Sequence, residues 1–296
     1  MIEIRTTIDD LTLEETSESV AAAFPYRGNR EVFVPVTNCL CPWHWHNEVE
    51  LFYIEFGCLR YCLPGMTRDF HAGEVGFVNA NVLHMTQSLG DGNCVQQEHI
   101  FLPRLVGGTS GSAIEQRYVQ PLLKNREAEL IALPADHPRA SGMRRQMDAA
   151  LRAFQGQAPG YEIAVRDALS ALWLDVLALA PEARDRRSSV DDDRLKAMLR
   201  FIDAHFAERL TLADIAAAAS VGPRESARCF RRALNMSPIE YLLSYRIDRA
   251  GELLRATGRS VTGISLSCGF GSVSYFGKLF REKLGVSPSE YRRLQQ

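Results

Sequence analysis

The spacing of apolar residues changes character twice along this chain. From Val32 to about Ala132 the signals are those of strands. Val49-Glu-Leu-Phe-Tyr-Ile-Glu-Phe56 is β-branched and aromatic and is followed by Gly57. Leu59-Arg-Tyr-Cys-Leu63 ends at the turn dipeptide Pro64-Gly65, and residues 73–78 and 93–101 continue the spacing. Short strands with frequent turns suggest a sandwich or small barrel. Near Ala140 the period becomes helical. Met143, Met147, Ala150, Leu151 and Phe154 share one face, and Leu169, Leu172, Trp173, Val176 and Leu177 share another, with Gly156–Gly160 between them. This αα-hairpin (about 140–181) is expected to pack on the strands or against its copy in a second subunit. Residues 184–193, polar throughout apart from Val190, read as a linker.

Beyond the linker the chain repeats itself, and a repeat decides architecture before any single residue does. Ile215 matches Ile264 at an offset of 49, while Phe230, Leu234, Ser237-Pro238, Glu240 and Tyr241 match Phe280, Leu284, Ser287-Pro288, Glu290 and Tyr291 at 50. Each copy reads as a helix-turn-helix. Thr211 with Asp214 is expected to cap the first helix, leaving Leu212, Ile215 and Ala219 on its buried face. Ser237-Pro238 and Ser287-Pro288 place a cap before a proline at the first helical position. A long helix from Pro238 to about Arg255 joins the units, with Tyr241, Leu242, Tyr245, Ile247, Ala250, Leu253 and Leu254 to dock on both.

The second helix of such a motif enters the major groove. In the first unit it spans about Pro223–Leu234, and Arg224, Arg228 and Arg231 recur on one face beside Ala227 and Arg232. In the second it spans about Ser272–Lys283. There Tyr275, Phe276, Leu279 and Phe280 include the core side, leaving Val273, Ser274, Gly277, Lys278 and Arg281 for DNA. Arginine forms two hydrogen bonds with guanine, so the first unit reads as the stronger base reader.

Bulk numbers support this division. A chain of 296 residues with 46% hydrophobic and 24% charged residues is long enough for two globular domains. The net charge of -2 hides a split: residues 194–296 carry 17 Lys/Arg against 9 Asp/Glu, and residues 1–193 carry 17 against 27. The basic half is suited to a polyanion. No apolar run approaches the roughly 20 residues of a membrane span, and Met1-Ile-Glu-Ile-Arg-Thr lacks a signal-peptide layout. The 7 cysteines, odd in number and scattered, argue against a disulfide framework. A cytoplasmic protein is expected. Cys39-x-Cys41 with Cys58 and Cys62 is a weak thiol or soft-metal pattern, outweighed by cysteine's usual role as a small buried side chain. The segment Gly107–Ser112 lacks the Lys-Ser/Thr of a phosphate loop and reads as a surface loop.

Residues 194–296 resemble the DNA-binding domain of the AraC/XylS family of bacterial transcription regulators. Ile264, Gly269-Phe270, Tyr275-Phe276, Phe280, Gly285, Ser287-Pro288 and Tyr291-Arg292 follow its signature nearly position for position. The resemblance implies a seven-helix domain with two units in successive major grooves. It also implies an activator or repressor of transcription, often a homodimer, that meets RNA polymerase if it activates. Four positions depart from the pattern: Ser220 and Asn235 stand where glycine is usual, Gly222 where serine is usual, and Ser265 where alanine is usual.

The strand-rich half holds Trp43-His44-Trp45-His46-Asn47-Glu48-Val49-Glu50 with Gly57 beyond, which resembles the first cupin motif. A second motif is partial: Gly73 and His84 are well spaced, but Asn79 and Asn81 replace its proline and glycine. The resemblance implies a small β-barrel with His44, His46, Glu50 and His84 converging inside. In a strand, residues 44, 46, 48 and 50 point one way. Three readings stay open. The groups form a site for a divalent transition metal, or they bind a polar effector such as a sugar with Trp43, Trp45, Tyr53 or Tyr61 stacking on it, or they are satisfied core residues.

The expected architecture is therefore α+β in two domains. Residues 1–183 form a cupin-like effector-binding and dimerisation domain (barrel about 30–133), 184–193 a linker, and 194–296 the double helix-turn-helix domain. The expected function is a sequence-specific DNA-binding regulator that answers a small-molecule effector, not an enzyme. The alternative is a metal-dependent cupin enzyme or metal sensor fused to a DNA-binding domain.

Overall fold

The computed structural model describes residues 7–8, 15–16, 24–33, 40–90, 93–182 and 190–294. Cys39 and residues 184–189 of the expected linker lie outside them. The N-terminal domain consists of antiparallel strands. A short pair, β1 (Thr7–Ile8) and β2 (Glu15–Thr16), precedes two larger sheets. The five-stranded sheet runs β11 (Leu130–Leu133), β8 (Val75–Val78), β5 (Val49–Phe56), β10 (Cys94–Phe101), β3 (Tyr26–Phe33). The four-stranded sheet runs β4 (Leu40–His44), β9 (His84–Ser88), β6 (Cys58–Leu63), β7 (Met66–His71). The barrel expected from sequence is thus two sheets, and among the described residues no ladder joins them into a closed cylinder.

Alternation along β5 explains the layering. Phe52 and Ile54 point to the four-stranded sheet and pack with Leu59, Tyr61, Leu63 and Phe70. Val49 and Leu51 point to the opposite side and pack under α3 (Ala140–Gly156) and α4 (Tyr161–Leu179) through Met143, Met147, Leu169 and Trp173. The hairpin therefore covers its own sheet, and Ile163 and Leu174 of α4 remain on the outside. Short helices α1 (Arg104–Gly107) and α2 (Gln120–Leu123) come between β10 and β11 in the chain; Gly107, read as the start of a surface loop, ends α1, and residues 108–111 are exposed loop residues.

The C-terminal domain is all helical: α5 (Val190–His205), α6 (Leu212–Ala217), α7 (Pro223–Leu234), α8 (Pro238–Ala256), α9 (Val261–Ser267), α10 (Val273–Leu284) and α11 (Pro288–Leu294). Helix α5 starts inside the expected linker. Asp191, Asp192 and Asp193 form its first turn, where acidic side chains complement the helix dipole. The capping boxes Thr211/Asp214 and Ser237/Glu240 both form. Helix α8 serves two cores. Tyr241, Leu242 and Tyr245 join Phe230 and Leu234 of the first unit, and Ile247, Ala250 and Leu254 join Phe276 and Phe280 of the second.

Candidate functional site

The histidine cluster is assembled from both sheets. His44 ends β4 and is paired in register with His84, which begins β9. The chain then bends at Asn47 and Glu48 and enters the other sheet with Val49, so Glu50 reaches the cluster from β5. Residues 44–50 are therefore not one strand. All four side chains are buried, and ligand-capable atoms of the three histidines lie within 4.8 Å of one another. Glu50 Oε2 lies 3.3 Å from His84 Nε2 and 3.9 Å from His46 Nε2.

Each ring is held by a backbone carbonyl. Nδ1 of His44 donates to Pro42 O at 2.7 Å, Nδ1 of His46 to Glu48 O at 3.0 Å, and Nδ1 of His84 to Val82 O at 2.9 Å. With Nδ1 so engaged, Nε2 is the ring nitrogen that His46 and His84 turn to Glu50. The other oxygen of Glu50, Oε1, accepts from Tyr61 Oη at 2.6 Å and from Gln96 Nε2 at 3.2 Å. Burial alone would raise the Glu50 carboxyl, but hydrogen bonds and charge from His46 and His84 outweigh it and hold the group well below its ordinary range. Three oriented imidazoles and one carboxylate form a donor set suited to a first-row divalent ion.

Sequence reasoning missed Tyr61 and Gln96 as the grip on Glu50. The signal was present in β10, where Gln96 and Glu98 are polar at alternate positions of a strand with both faces covered. Glu48 contributes its carbonyl to His46. Trp43 and Trp45 do not stack beside the histidines. They join the first helix-turn-helix core with Leu83, Leu195, Met198 and Leu199. Arg200 and Lys196 of α5 lie over the Trp45 ring at 5.1 and 5.8 Å. Tyr53 turns to the hairpin and donates to Asp148 at 2.8 Å.

The DNA-facing candidates sit on α7 and α10. Arg224, Arg228, Arg231 and Arg232 are exposed on α7, with Ala227 partly covered between them, and Ser226, Cys229 and Phe230 face inward. Arg228 is engaged within the molecule: Nε donates to Glu225 Oε2 at 2.9 Å and Nη2 to Glu225 Oε1 at 2.6 Å. These bonds hold the Glu225 carboxyl below its ordinary range. On α10, Val273, Ser274, Lys278 and Arg281 are exposed and Gly277 is partly so. Tyr275, expected on the core side, is 47% exposed, while Phe276 and Phe280 fill the core.

Known proteins match along these lines. A helix-turn-helix domain model matches residues 215–294, the span of both repeats. The HTH-type transcriptional regulator YdeC of Bacillus subtilis is 26% identical over 286 residues, covering 96% of this chain and 97% of that protein. The HTH-type transcriptional activator RhaS of Klebsiella pneumoniae is 26% identical over 258 residues, covering 85% and 87%. Among solved structures, ToxT of Vibrio cholerae aligns over 92% of this chain and 98% of its own at 14% identity, with a TM-score of 0.48. No described helix is long and apolar enough to cross a membrane. With the two helix-turn-helix units in place, and HTH-type transcriptional regulators matching over most of its length, the chain is a DNA-binding transcription regulator of the helix-turn-helix type, and residues 194–296 are similar to the AraC/XylS DNA-binding domain.

Proposed function

We propose that this regulator reads DNA through α7 and α10 and that its N-terminal half is a cupin-like sensing domain centred on His44, His46, Glu50 and His84. The observation that carries the proposal is the alternation along residues 43–46. His44 and His46 point into the cluster, and Trp43 and Trp45 point out of it into the first helix-turn-helix core. One segment thus touches both the cluster and α5. The turn before His84 does the same: Asn81 N donates to His46 O at 2.8 Å and Asn81 O accepts from Lys196 Nζ at 2.5 Å. A ligand that shifts this segment favours one domain arrangement over another, which is the differential affinity that regulation requires.

The donor set favours a divalent transition metal over the purely organic reading. The Nδ1-to-carbonyl bonds orient the three rings as outer partners orient metal-bound imidazoles. His44, His46, His84 and Glu50 would hold the ion. When bound, it would supply a Lewis-acidic point for an oxygen-bearing effector. Arg224, Ala227, Arg228, Arg231 and Arg232 form the first DNA-reading face, and Val273, Ser274, Gly277, Lys278 and Arg281 the second. Ile163 and Leu174, apolar and exposed on α4, support a dimer through the hairpin.

The test uses full-length protein and a DNA site enriched from a random pool. DNA affinity is measured with and without added Zn²⁺, Mn²⁺ or Ni²⁺, beside a His44→Ala/His46→Ala variant. Metal that binds near one equivalent, changes the affinity, and does neither in the variant supports the proposal. Stoichiometric binding with unchanged DNA affinity would remove the sensing role, and no binding at all would remove the metal.

A further inference from the structure

The first turn of α5 faces two ways. Asp192 Oδ2 is bonded at 2.6 Å by Nη1 of Arg126, which belongs to the N-terminal domain. Asp191, its neighbour, reaches across to the first recognition helix. Its Oδ2 lies 3.2 Å from Arg228 Nη2 and 3.3 Å from Arg232 Nη1. Arg194 adds a contact to Asp191 at 3.5 Å and one to Glu225 at 3.4 Å. Asp191 is 20% exposed while Arg228 and Arg232 are 52% and 71% exposed, so the carboxylate sits at the base of an accessible arginine face.

A carboxylate held against a guanidinium occupies the donors that a phosphate or a guanine edge would use. We propose that Asp191 is an internal competitor with DNA for Arg228 and Arg232, and that Arg126 of the N-terminal domain keeps it there. The proposal rests on α7 being a DNA-reading face, and on nothing at the histidine cluster. Its consequence is directional. DNA must displace Asp191 or wait until the first turn of α5 moves, so any rearrangement that separates Arg126 from Asp192 raises DNA affinity. Two adjacent aspartates thereby join the position of the sensing domain to the charge available on the recognition helix.

Generic electrostatics and a competitor make opposite forecasts at Arg126. Removing a positive charge weakens attraction to DNA in general, whereas releasing a competitor tightens binding. Full-length protein is titrated onto the enriched DNA site, and onto random-sequence duplex, at about 0.1 M salt. Asp191→Asn is expected to tighten binding about threefold to tenfold, the scale of a few exposed charge pairs. Asp193→Asn, a loss of equal charge in the same turn, should do clearly less. Arg126→Gln should also tighten binding, and Asp191→Asn should lose its gain in an Arg228→Ala background. Equal effects of Asp191→Asn and Asp193→Asn, or weaker binding by Arg126→Gln, overturns the proposal. Unchanged affinity in Arg228→Ala alone overturns the α7 reading together with it, while weakened affinity there with no gain from Asp191→Asn overturns the competitor alone.

Discussion

Ser220 and Gly269 occupy the same turn of the two repeats, and both have left-handed backbone, φ +54 and +77. The second unit meets that demand with the residue suited to it. Glycine there also permits close approach, since a Cβ on Gly269 would lie 2.8 Å from the carbonyl oxygens of Phe206 and Ala207. The first unit meets it with serine, at a steric cost of about 1–2 kcal/mol.

Ser220→Gly is therefore expected to stabilise the C-terminal domain by about 1 kcal/mol, read as a higher urea midpoint at unchanged slope. Gly269→Ala should destabilise by more than that gain, because backbone oxygens cannot give way as a flexible side chain would. A Ser220→Gly protein no more stable than the parent would show that the turn relaxes elsewhere.

The two recognition helices should fail differently. Arg228→Ala should relax base preference at one or two positions, a loss of about 1–3 kcal/mol in discrimination. Lys278→Ala should weaken binding to all sequences alike and reduce the salt slope by about 1. Site selection with each variant separates them, and identical preference profiles would remove the division of labour.

Tyr61 grips the oxygen of Glu50 that faces away from the histidines, and Gln96 Nε2 supports the phenol at 2.7 Å. Tyr61→Phe should leave the fold intact and lower metal affinity about 10–100-fold, the usual cost of losing such an outer partner. A Zn²⁺ titration followed by tryptophan fluorescence measures it. Affinity equal to the parent's would place Tyr61 in packing alone.

His99 connects stability to pH. It is fully buried, with Nδ1 2.8 Å from Tyr26 Oη and Nε2 3.1 Å from Gln97 Nε2. Burial pulls its pKa down from 6.5 to about 3. The unfolded chain therefore takes the proton first, and this stability, complete above pH 6.5, is lost as pH falls from there to about 3. The slope approaches about 1.4 kcal/mol per pH unit. His99→Gln should be less stable at neutral pH yet decline less between about pH 6.5 and 4. Parallel declines in the two proteins would assign the acid sensitivity to other groups.

Sequence alone determined the C-terminal half almost completely. Its helices carry their own start signals in Thr211, Ser237, Ser260 and Ser272, and its cores repeat with a period that survives one insertion. Local signals suffice there because each helix contains its own hydrogen bonds. Asn235, with φ +55, takes the left-handed cap that glycine takes at Gly285, as its side chain permits. The N-terminal half was legible as short strands and as a set of donors, but not as a site. Alternation within one strand put His44, His46, Glu48 and Glu50 on one face, whereas the bend at Asn47 and Glu48 leaves His44 in one sheet and Glu50 in the other, with His46 and Glu48 between them. Only the pairing of His44 with His84, and the facing of β5 across the sandwich, decided which of them meet. The same holds for Trp45 beneath Arg200 and for Asp191 against Arg228, which bring together residues far apart in the chain. Such contacts leave no periodicity, because they depend on how finished elements pack.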